Sequence, residues 1–98
     1  MRNFFVYIKC ELGKTYDVVY DIAWNLDPNP SLYSIAGYYD LLAHFQVEDD
    51  LDIGRFISSE LHKVQGIRDT KTVIAFNTFS EDSGFPFDRG KPNPKEGK

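Results

Sequence analysis

Residues 4–10 read FFVYIKC and are the stretch from which the fold of this chain follows most directly. Aromatic and β-branched side chains of this kind favour a pleated strand. Successive side chains of a strand point to opposite faces, so Phe4 and Val6 lie on one side of the predicted sheet. Phe5 and Tyr7 lie on the other. Both faces of the sheet are therefore apolar, and both need to be covered.

A helix and two further strands follow this first strand. Apolar residues recur at three- and four-residue spacing over residues 14–26, which predicts an amphipathic helix. Pro28 lacks an amide donor and favours an extended residue before it, so the helix is expected to end near that point. Residues 32–36 and 39–47 then predict two strands, and Gly37 lies in the tight turn between them.

A second helix and a last strand complete the pattern. The acidic residues within 48–52 suit a helix N-terminus, and the apolar spacing of residues 53–64 predicts a helix that ends at Gly66. Residues 69–79 are again β-branched and aromatic, which predicts a strand. The order βαββαβ predicts an α+β, ferredoxin-like sandwich, in which a four-stranded antiparallel sheet carries two helices on one face. The other apolar face predicts a homodimer formed sheet to sheet, as a dimeric α+β barrel.

The domain is expected to span residues 1–79, with a tail of different composition over residues 80–98. The tail holds three of the five prolines and three of the seven glycines, and it shows no apolar periodicity. Such a composition does not predict a packed core. Its Phe85 and Phe87 are nevertheless suited to dock on a neighbouring surface.

Charge and cysteine content narrow the classes of function. A net charge of −4 disfavours direct contact with nucleic acid, which requires clustered basic residues. Cys10 is the single cysteine, so we expect no disulfide within the chain, and a reducing, cytoplasmic location fits. No stretch is long and apolar enough for a membrane helix, so no membrane association is expected. His44 and His62 lack the spacing of metal ligands and no nucleotide-binding motif occurs, so we expect neither metal nor cofactor.

The first of two candidate ligand-binding stretches is AGYYDLL at residues 36–42. It places Gly37, Tyr39 and Asp40 at the mouth of a strand, where backbone amides and a carboxylate are presented together. The Asp40 carboxylate would bind the α-amino group of an amino acid through charge-assisted hydrogen bonds. In a purely structural interpretation, Gly37 serves the turn and Asp40 pairs with Arg68.

The second stretch is GIRDTKT at residues 66–72. Arg68, Thr70 and Thr72 alternate along the last strand and offer one cation and two hydroxyl groups on one side. These groups would bind the α-carboxylate of the same amino acid. Spacing alone favours the structural interpretation, in which the threonines are ordinary strand residues.

These stretches resemble the effector-binding domain of the leucine-responsive regulator and AsnC (Lrp/AsnC) family, often called the RAM domain. The resemblance runs over about residues 4–78 and resides in three segments. They are similar to the opening strand, Gly-Lys turn and helix of that domain, to its Gly-x-Tyr-Asp strand and to its closing strand: FFVYIKCELGKTYDVV at 4–19, IAGYYDLLAHFQVED at 35–49 and VQGIRDTKTVIAF at 64–76. Ala36 and Gln65 depart from the threonine and proline that are common in the family.

The resemblance implies a regulatory module and not an enzyme. Domains of this family dimerise through their sheets, and their dimers assemble into octameric rings with amino-acid effectors between dimers. Members usually carry a helix-turn-helix DNA-binding domain as well, and this chain resembles the stand-alone subgroup without one. The expected partners are a second copy, an amino-acid effector and a full-length Lrp/AsnC regulator. The implied ligand-binding residues are Gly37, Tyr39, Asp40, Thr70 and Thr72.

We therefore predict a stand-alone module that senses an amino acid or related small metabolite and changes its assembly, in transcriptional or metabolic regulation. A small dimeric ferredoxin-like enzyme is one alternative; it requires a catalytic His or Arg in an enclosed pocket, and His44 is the only strand histidine. A purely structural oligomerisation module with an occluded pocket is the other. The fold by itself does not separate the three.

Overall fold

The secondary structure follows the predicted βαββαβ order. The computed structural model describes residues 1–77; the predicted boundary at residue 79 and the tail with Phe85 and Phe87 lie outside the described residues. A short 3₁₀ helix, Leu61–Lys63, follows the second α-helix. The other elements are β1 Arg2–Cys10, α1 Thr15–Asn25, β2 Ser31–Ser34, β3 Leu41–Val47, α2 Ile53–Ser59 and β4 Ile67–Ala75. Over residues 1–77, no helix has the length and apolar character that crossing a membrane demands.

The four strands form one antiparallel sheet in the order β2-β3-β1-β4. The long strands β1 and β3 lie at its centre, whereas β2 and β4 are its edges. Phe4 lies opposite Phe45 in β3 and opposite Ile74 in β4, so these three side chains share one face. Both helices pack on that face, which confirms the ferredoxin-like fold.

The hydrophobic core lies between the helices and this face of the sheet. Phe4 is fully buried, and its ring stacks on Phe45 with the two centroids 4.6 Å apart. Phe56 of α2 meets both rings edge-on, at centroid distances of 6.4 Å from Phe4 and 5.4 Å from Phe45. Such geometry adds to the stabilisation that burial of apolar area already provides. The three rings therefore join the sheet to α2.

Helix α1 packs on the core through Val18 and Ile22, which lie four residues apart on one face. Its first turn also approaches Gly66, which precedes β4 and has a φ of +95°. A Cβ atom at Gly66 would lie 3.0 Å from Val18 Cγ2 and 3.1 Å from Lys14 Cβ. Both the backbone conformation and the close approach therefore require glycine. This contact holds the start of α1 beside the start of β4.

The second helix is shorter than the apolar spacing predicts. It ends at Ser59, and the 3₁₀ turn Leu61–Lys63 replaces the continuous helix expected up to Gly66. The Ser59 hydroxyl donates to the Arg55 carbonyl at 2.7 Å, a bond that weakens regular helix geometry. The start of the helix is as predicted, because Asp52 Oδ1 accepts a hydrogen bond from Arg55 N at 3.1 Å.

Strand β4 begins two residues earlier than predicted, at Ile67. Its register against β1 shifts once, because Lys9 lies opposite Asp69 whereas Cys10 lies opposite Ile67. Arg68 is therefore the extra residue of a β-bulge. It does not alternate with the two threonines as the sequence pattern predicted.

The face of the sheet opposite the helices is apolar, as predicted. We refer to the surface formed by Phe5, Tyr7, Tyr33, Leu42 and Val73 as the open face. None of these five side chains is buried, and Tyr33 and Val73 are 52% and 41% exposed. Phe5 lies opposite Val73 and Tyr7 opposite Leu42, so the five residues form one continuous patch. A patch of this kind is typical of a contact surface.

Candidate functional site

A cluster of polar and aromatic side chains lies where β3 begins beside the end of β1. The loop between β2 and β3 is closed by a hydrogen bond of 3.1 Å from Ile35 N to the Asp40 carbonyl. Gly37 in this loop has a φ of +126°, a conformation that favours glycine over residues with a Cβ. The loop places the Tyr39 ring against Tyr7 at the edge of the open face.

The Asp40 side chain is bound to the end of β1. Its Oδ2 accepts a hydrogen bond from Cys10 N at 2.8 Å, and the Asp40 amide donates to the Ile8 carbonyl at 2.9 Å. Lys9 Nζ lies 3.8 Å from the same Oδ2 atom. The predicted structural pairing of Asp40 with Arg68 is therefore wrong, because Lys9 is the cation that strand pairing brings to this carboxylate.

Three tyrosine rings pack together beside this ion pair. The Tyr39 centroid lies 5.5 Å from that of Tyr7 and 5.0 Å from that of Tyr38. Lys9 Nζ lies 5.2 Å from the centre of the Tyr38 ring, within the range of cation–π attraction. Partial burial raises the pKa of the Tyr39 hydroxyl, and the negative charge of Asp69 raises this pKa further. The cluster thus presents the protonated phenol of Tyr39 next to the ammonium group of Lys9 and the carboxylate of Asp40.

A cleft of about 240 Å³ opens on the neighbouring strand, lined by His62, Ile67, Arg68, Asp69 and Thr70. His62 Nε2 lies 3.2 Å from Thr70 Oγ1 across it. The Thr70 amide donates to Asp69 Oδ1 at 2.9 Å. Asp69 lines the cleft and also acts on the tyrosine cluster, so it connects the two parts of the candidate site.

The five predicted ligand-binding residues fall into two groups. Gly37, Tyr39 and Asp40 lie together beside the edge of the open face. Thr70 and Thr72 lie opposite buried residues of β1, so both point to the helix side of the sheet. Thr70 borders the cleft, whereas Thr72 is not among its lining residues. One chain by itself therefore does not bring all five residues into a single pocket.

The sequence matches a known family model over most of its length. The model describes the Lrp/AsnC ligand binding domain, and the match covers residues 3–85 of the 98-residue chain. The chain belongs to this family. The resemblance recognised in three segments of the sequence is thereby confirmed. A comparison with curated protein sequences finds no match.

Solved structures share the fold of this Lrp/AsnC domain. An FFRP protein is 25% identical, with a TM-score of 0.69 over 78% of this chain and 100% of its own. A protein from Thermus thermophilus is 24% identical, with a TM-score of 0.71 over 82% of this chain and 99% of its own. A transcriptional regulator from Neisseria meningitidis, in complex with L-Met, is 17% identical, with a TM-score of 0.65 over 81% of this chain and 52% of its own. These structures share the ferredoxin-like fold of this Lrp/AsnC ligand-binding domain.

Three residues of this Lrp/AsnC domain line the candidate site without having been predicted to do so: Lys9, Asp69 and His62. Lys9 and Asp69 are opposite each other in the pairing of β1 with β4, which the sequence pattern does not reveal. For His62 the sequence predicted only that it lacks the spacing of a metal ligand, whereas in the structure it contacts Thr70 in the cleft. Lys9 follows Tyr7 by two residues along β1, and this alternation is the sequence signal that could have placed Lys9 on the open-face side.

His44 is occupied by contacts on the open face. Its ring stacks on Phe5 at a centroid distance of 4.6 Å, and its Nε2 lies 3.0 Å from Asn3 Oδ1. These contacts hold it apart from the cleft that His62 lines. Within residues 1–77, no three His, Cys, Asp or Glu side chains converge as a metal site would require. The enzymatic alternative gains no support from this histidine.

Cys10 is expected to make the domain less stable in alkaline solution. Its side chain is 4% exposed, and this burial raises the pKa of the thiol above its ordinary value of 9.0. The unfolded chain therefore loses this proton at a lower pH than the folded chain does. The resulting stabilisation is complete below the ordinary pKa and is lost as the pH rises through the folded pKa.

Urea unfolding of the wild type and of Cys10→Ala, between about pH 8 and pH 10, measures this effect. The difference in unfolding free energy between the two proteins is expected to narrow as the pH rises. Other groups titrate in the same range in both proteins, so the difference isolates Cys10. Parallel pH curves for the two proteins would contradict the prediction.

Proposed function

We propose that this chain senses an amino acid, or a related metabolite with amino and carboxylate groups, and that binding changes its assembly. The main support is the meeting of opposite charges at one end of the sheet, where Lys9 and Arg68 lie near Asp40 and Asp69. The two cations suit an α-carboxylate and the two carboxylates suit an α-ammonium group. Membership of a ligand-binding family and a structural relative in complex with L-Met support the same class of ligand.

Assembly enters the proposal because the candidate site is open in a single chain. Gly37, Tyr39 and Asp40 lie on the open-face side, whereas Thr70 and Thr72 point to the helix side. We propose that neighbouring copies bring the two groups to one ligand. A site completed by two copies binds its ligand more tightly in the assembly than in the free chain, so the ligand shifts the assembly equilibrium.

The proposed assembly starts from a homodimer formed through the open face. Its five apolar residues would be covered by the same patch of a second copy, as a two-fold contact allows. Dimers then associate into octamer-like rings, either alone or with a full-length Lrp/AsnC regulator as partner. The net charge of −4 supports action through protein partners and not through direct contact with nucleic acid.

Light scattering with and without each of the common amino acids tests this function. The wild type is expected to change mass with at least one of them, and Asp40→Asn is expected to lose the response. Asparagine keeps an oxygen that accepts from Cys10 N but removes the negative charge. Asp17→Asn, at an exposed aspartate of α1, serves as the control and is expected to respond as the wild type does.

An unchanged mass with every amino acid, without any rise in thermal stability, would overturn the proposal. A ligand at a hundred times its Kd stabilises the folded state by about 2.7 kcal/mol, so such binding would be visible in thermal unfolding. A stable assembly that responds to none of these ligands would indicate the purely structural oligomerisation module.

The structure also predicts that Asp40 has a second, purely structural effect. Asp40→Ala leaves the Cys10 amide without its acceptor and is expected to lower the unfolding free energy by about 1–3 kcal/mol. Asp40→Asn is expected to retain most of that stability. Urea unfolding measures both variants, and equal losses would show that this hydrogen bond is not the stabilising contact.

A further inference from the structure

The outer face of α1 carries a row of exposed aromatic rings. Tyr16, Tyr20 and Trp24 follow one another at four-residue spacing, which places them on one face of the helix. Their exposed fractions are 76%, 62% and 82%. We refer to these three residues as the aromatic ridge. The core-facing residues Val18 and Ile22 lie on the opposite side, so α1 is apolar on both faces.

A continuous row of exposed rings marks a contact surface. One exposed apolar residue is ordinary in a folded protein, but a contiguous aromatic row is not. The aromatic ridge lies on the outside of the helix layer, whereas the open face lies on the far side of the sheet. A dimer formed through the open face therefore leaves the ridge uncovered. The second copy in such a dimer is therefore not the group that covers the ridge.

Charge beside the ridge indicates which kind of occupant fits. Asp17 and Asp21 are also spaced four residues apart, and each follows a ridge tyrosine by one position. They form an acidic row along one side of the ridge. A two-fold, antiparallel pairing of two ridges would place the acidic rows of both copies on the same side, where they repel. The ridge thus suits an aromatic segment with basic residues better than it suits a second α1.

The chain itself contains such a segment at residues 85–98, FPFDRGKPNPKEGK. Phe85 and Phe87 flank a proline, and four basic residues follow them against two acidic ones. We propose that this segment binds the aromatic ridge of its own chain. The two phenylalanine rings pack on Tyr20 and Trp24, and the basic side chains lie along the acidic row.

The path from the described part of the chain to the ridge is short enough. Strand β4 ends at Ala75, opposite the start of β1. The first turn of α1 contacts Gly66, which precedes β4 at the opposite end of that strand. Helix α1 therefore runs in the same direction as β4, and Trp24 near its C-terminus lies towards the end of the sheet where β4 ends. The chain makes eight residue-to-residue steps from Asn77 to Phe85, and these reach up to about 27 Å when extended. Crossing the sheet over three strand spacings takes about 14 Å, and crossing one layer of helices takes about 10 Å. The reach of the segment exceeds the sum of these two distances.

Trp24 is the only tryptophan of the chain, so its fluorescence reports on the ridge alone. In the full chain, the double variant Phe85→Ser/Phe87→Ser is expected to shift the emission to the longer wavelength of a water-exposed indole. Quenching by acrylamide is expected to increase in parallel. The double variant Asn93→Ser/Glu96→Gln, which changes the same segment without touching its aromatic or basic residues, is expected to keep the wild-type spectrum.

Three results would overturn this inference. The first is identical emission in the wild type and the phenylalanine double variant. The second is a short-wavelength emission that moves to longer wavelength on dilution, because another copy would then cover the ridge. The third is unchanged emission in Asp17→Lys, which reverses charge in the acidic row. Within residues 1–77, the Asp17 side chain makes one ion pair, an exposed one with Lys14 at 4.0 Å, so this last variant leaves the core intact.

Discussion

Phe4→Ala is expected to lower the unfolding free energy of the domain by about 3–5 kcal/mol, the largest effect of any single change considered. Phe4 is fully buried, and its ring contacts Phe45 on the neighbouring strand and Phe56 on α2. Alanine removes the apolar area of the ring and leaves a cavity that the surrounding sheet and helix cannot fill. Because domains of this size are stable by only about 5–15 kcal/mol, the loss is a large part of the total.

Urea unfolding followed by circular dichroism measures this loss. Tyr20→Ala on the outer face of α1 is the control, because its ring is 62% exposed and is not part of the core. It is expected to change the unfolding free energy much less than Phe4→Ala does. A similar loss in both variants would mean that the stacked phenylalanines do not form the centre of the core.

Phe5→Asp is expected to weaken the proposed homodimer roughly a hundredfold or more, equivalent to about 3 kcal/mol. Phe5 lies on a central strand in the middle of the open face, opposite Val73 in the sheet register. A two-fold interface buries the new carboxylate twice, once from each copy. Each carboxylate would lose its hydration among apolar side chains without gaining a partner.

Sedimentation or light scattering over a range of concentrations gives the dimer constant. Val73→Asp tests the same patch at a side chain that is already 41% exposed, so folding of the single chain is less at risk. Tyr16→Asp, on the other side of the molecule, is the control and is expected to leave the mass unchanged. If both open-face variants stay dimeric while folded, the dimer uses another surface.

Local patterns predicted most of the fold. Helix α1 begins one residue later and ends one residue earlier than the apolar spacing of residues 14–26 indicates. The apolar residues whose spacing predicted the second helix are all buried: Ile53, Phe56, Ile57, Leu61 and Val64. The α-helix nevertheless ends at Ser59. The spacing of buried residues determines which side chains face the core, but it does not determine whether the backbone between them is an α-helix or a 3₁₀ turn.

The candidate site was predicted only in part. Asp40 was correctly placed at the mouth of a strand, but its partners, the Cys10 amide and Lys9, come from a strand thirty residues away. The bulge at Arg68 removes that residue from the register of Thr70 and Thr72. A bulge of one residue changes which face a side chain occupies, and no pattern within β4 marks its position.

The class of fold, the order of its elements and the family of the chain all follow from the pattern of its amino acids. Those features depend on the period of apolar side chains and on turn residues close together in the chain, because each element must bury one face whatever its neighbours are. Three features came from the folded chain and not from its pattern: the position of Lys9 beside Asp40 and opposite Asp69, the separation of the two threonines from Tyr39, and the exposure of the aromatic ridge. These depend on strand register and on which surfaces remain after packing, both of which are set by contacts between distant parts of the chain.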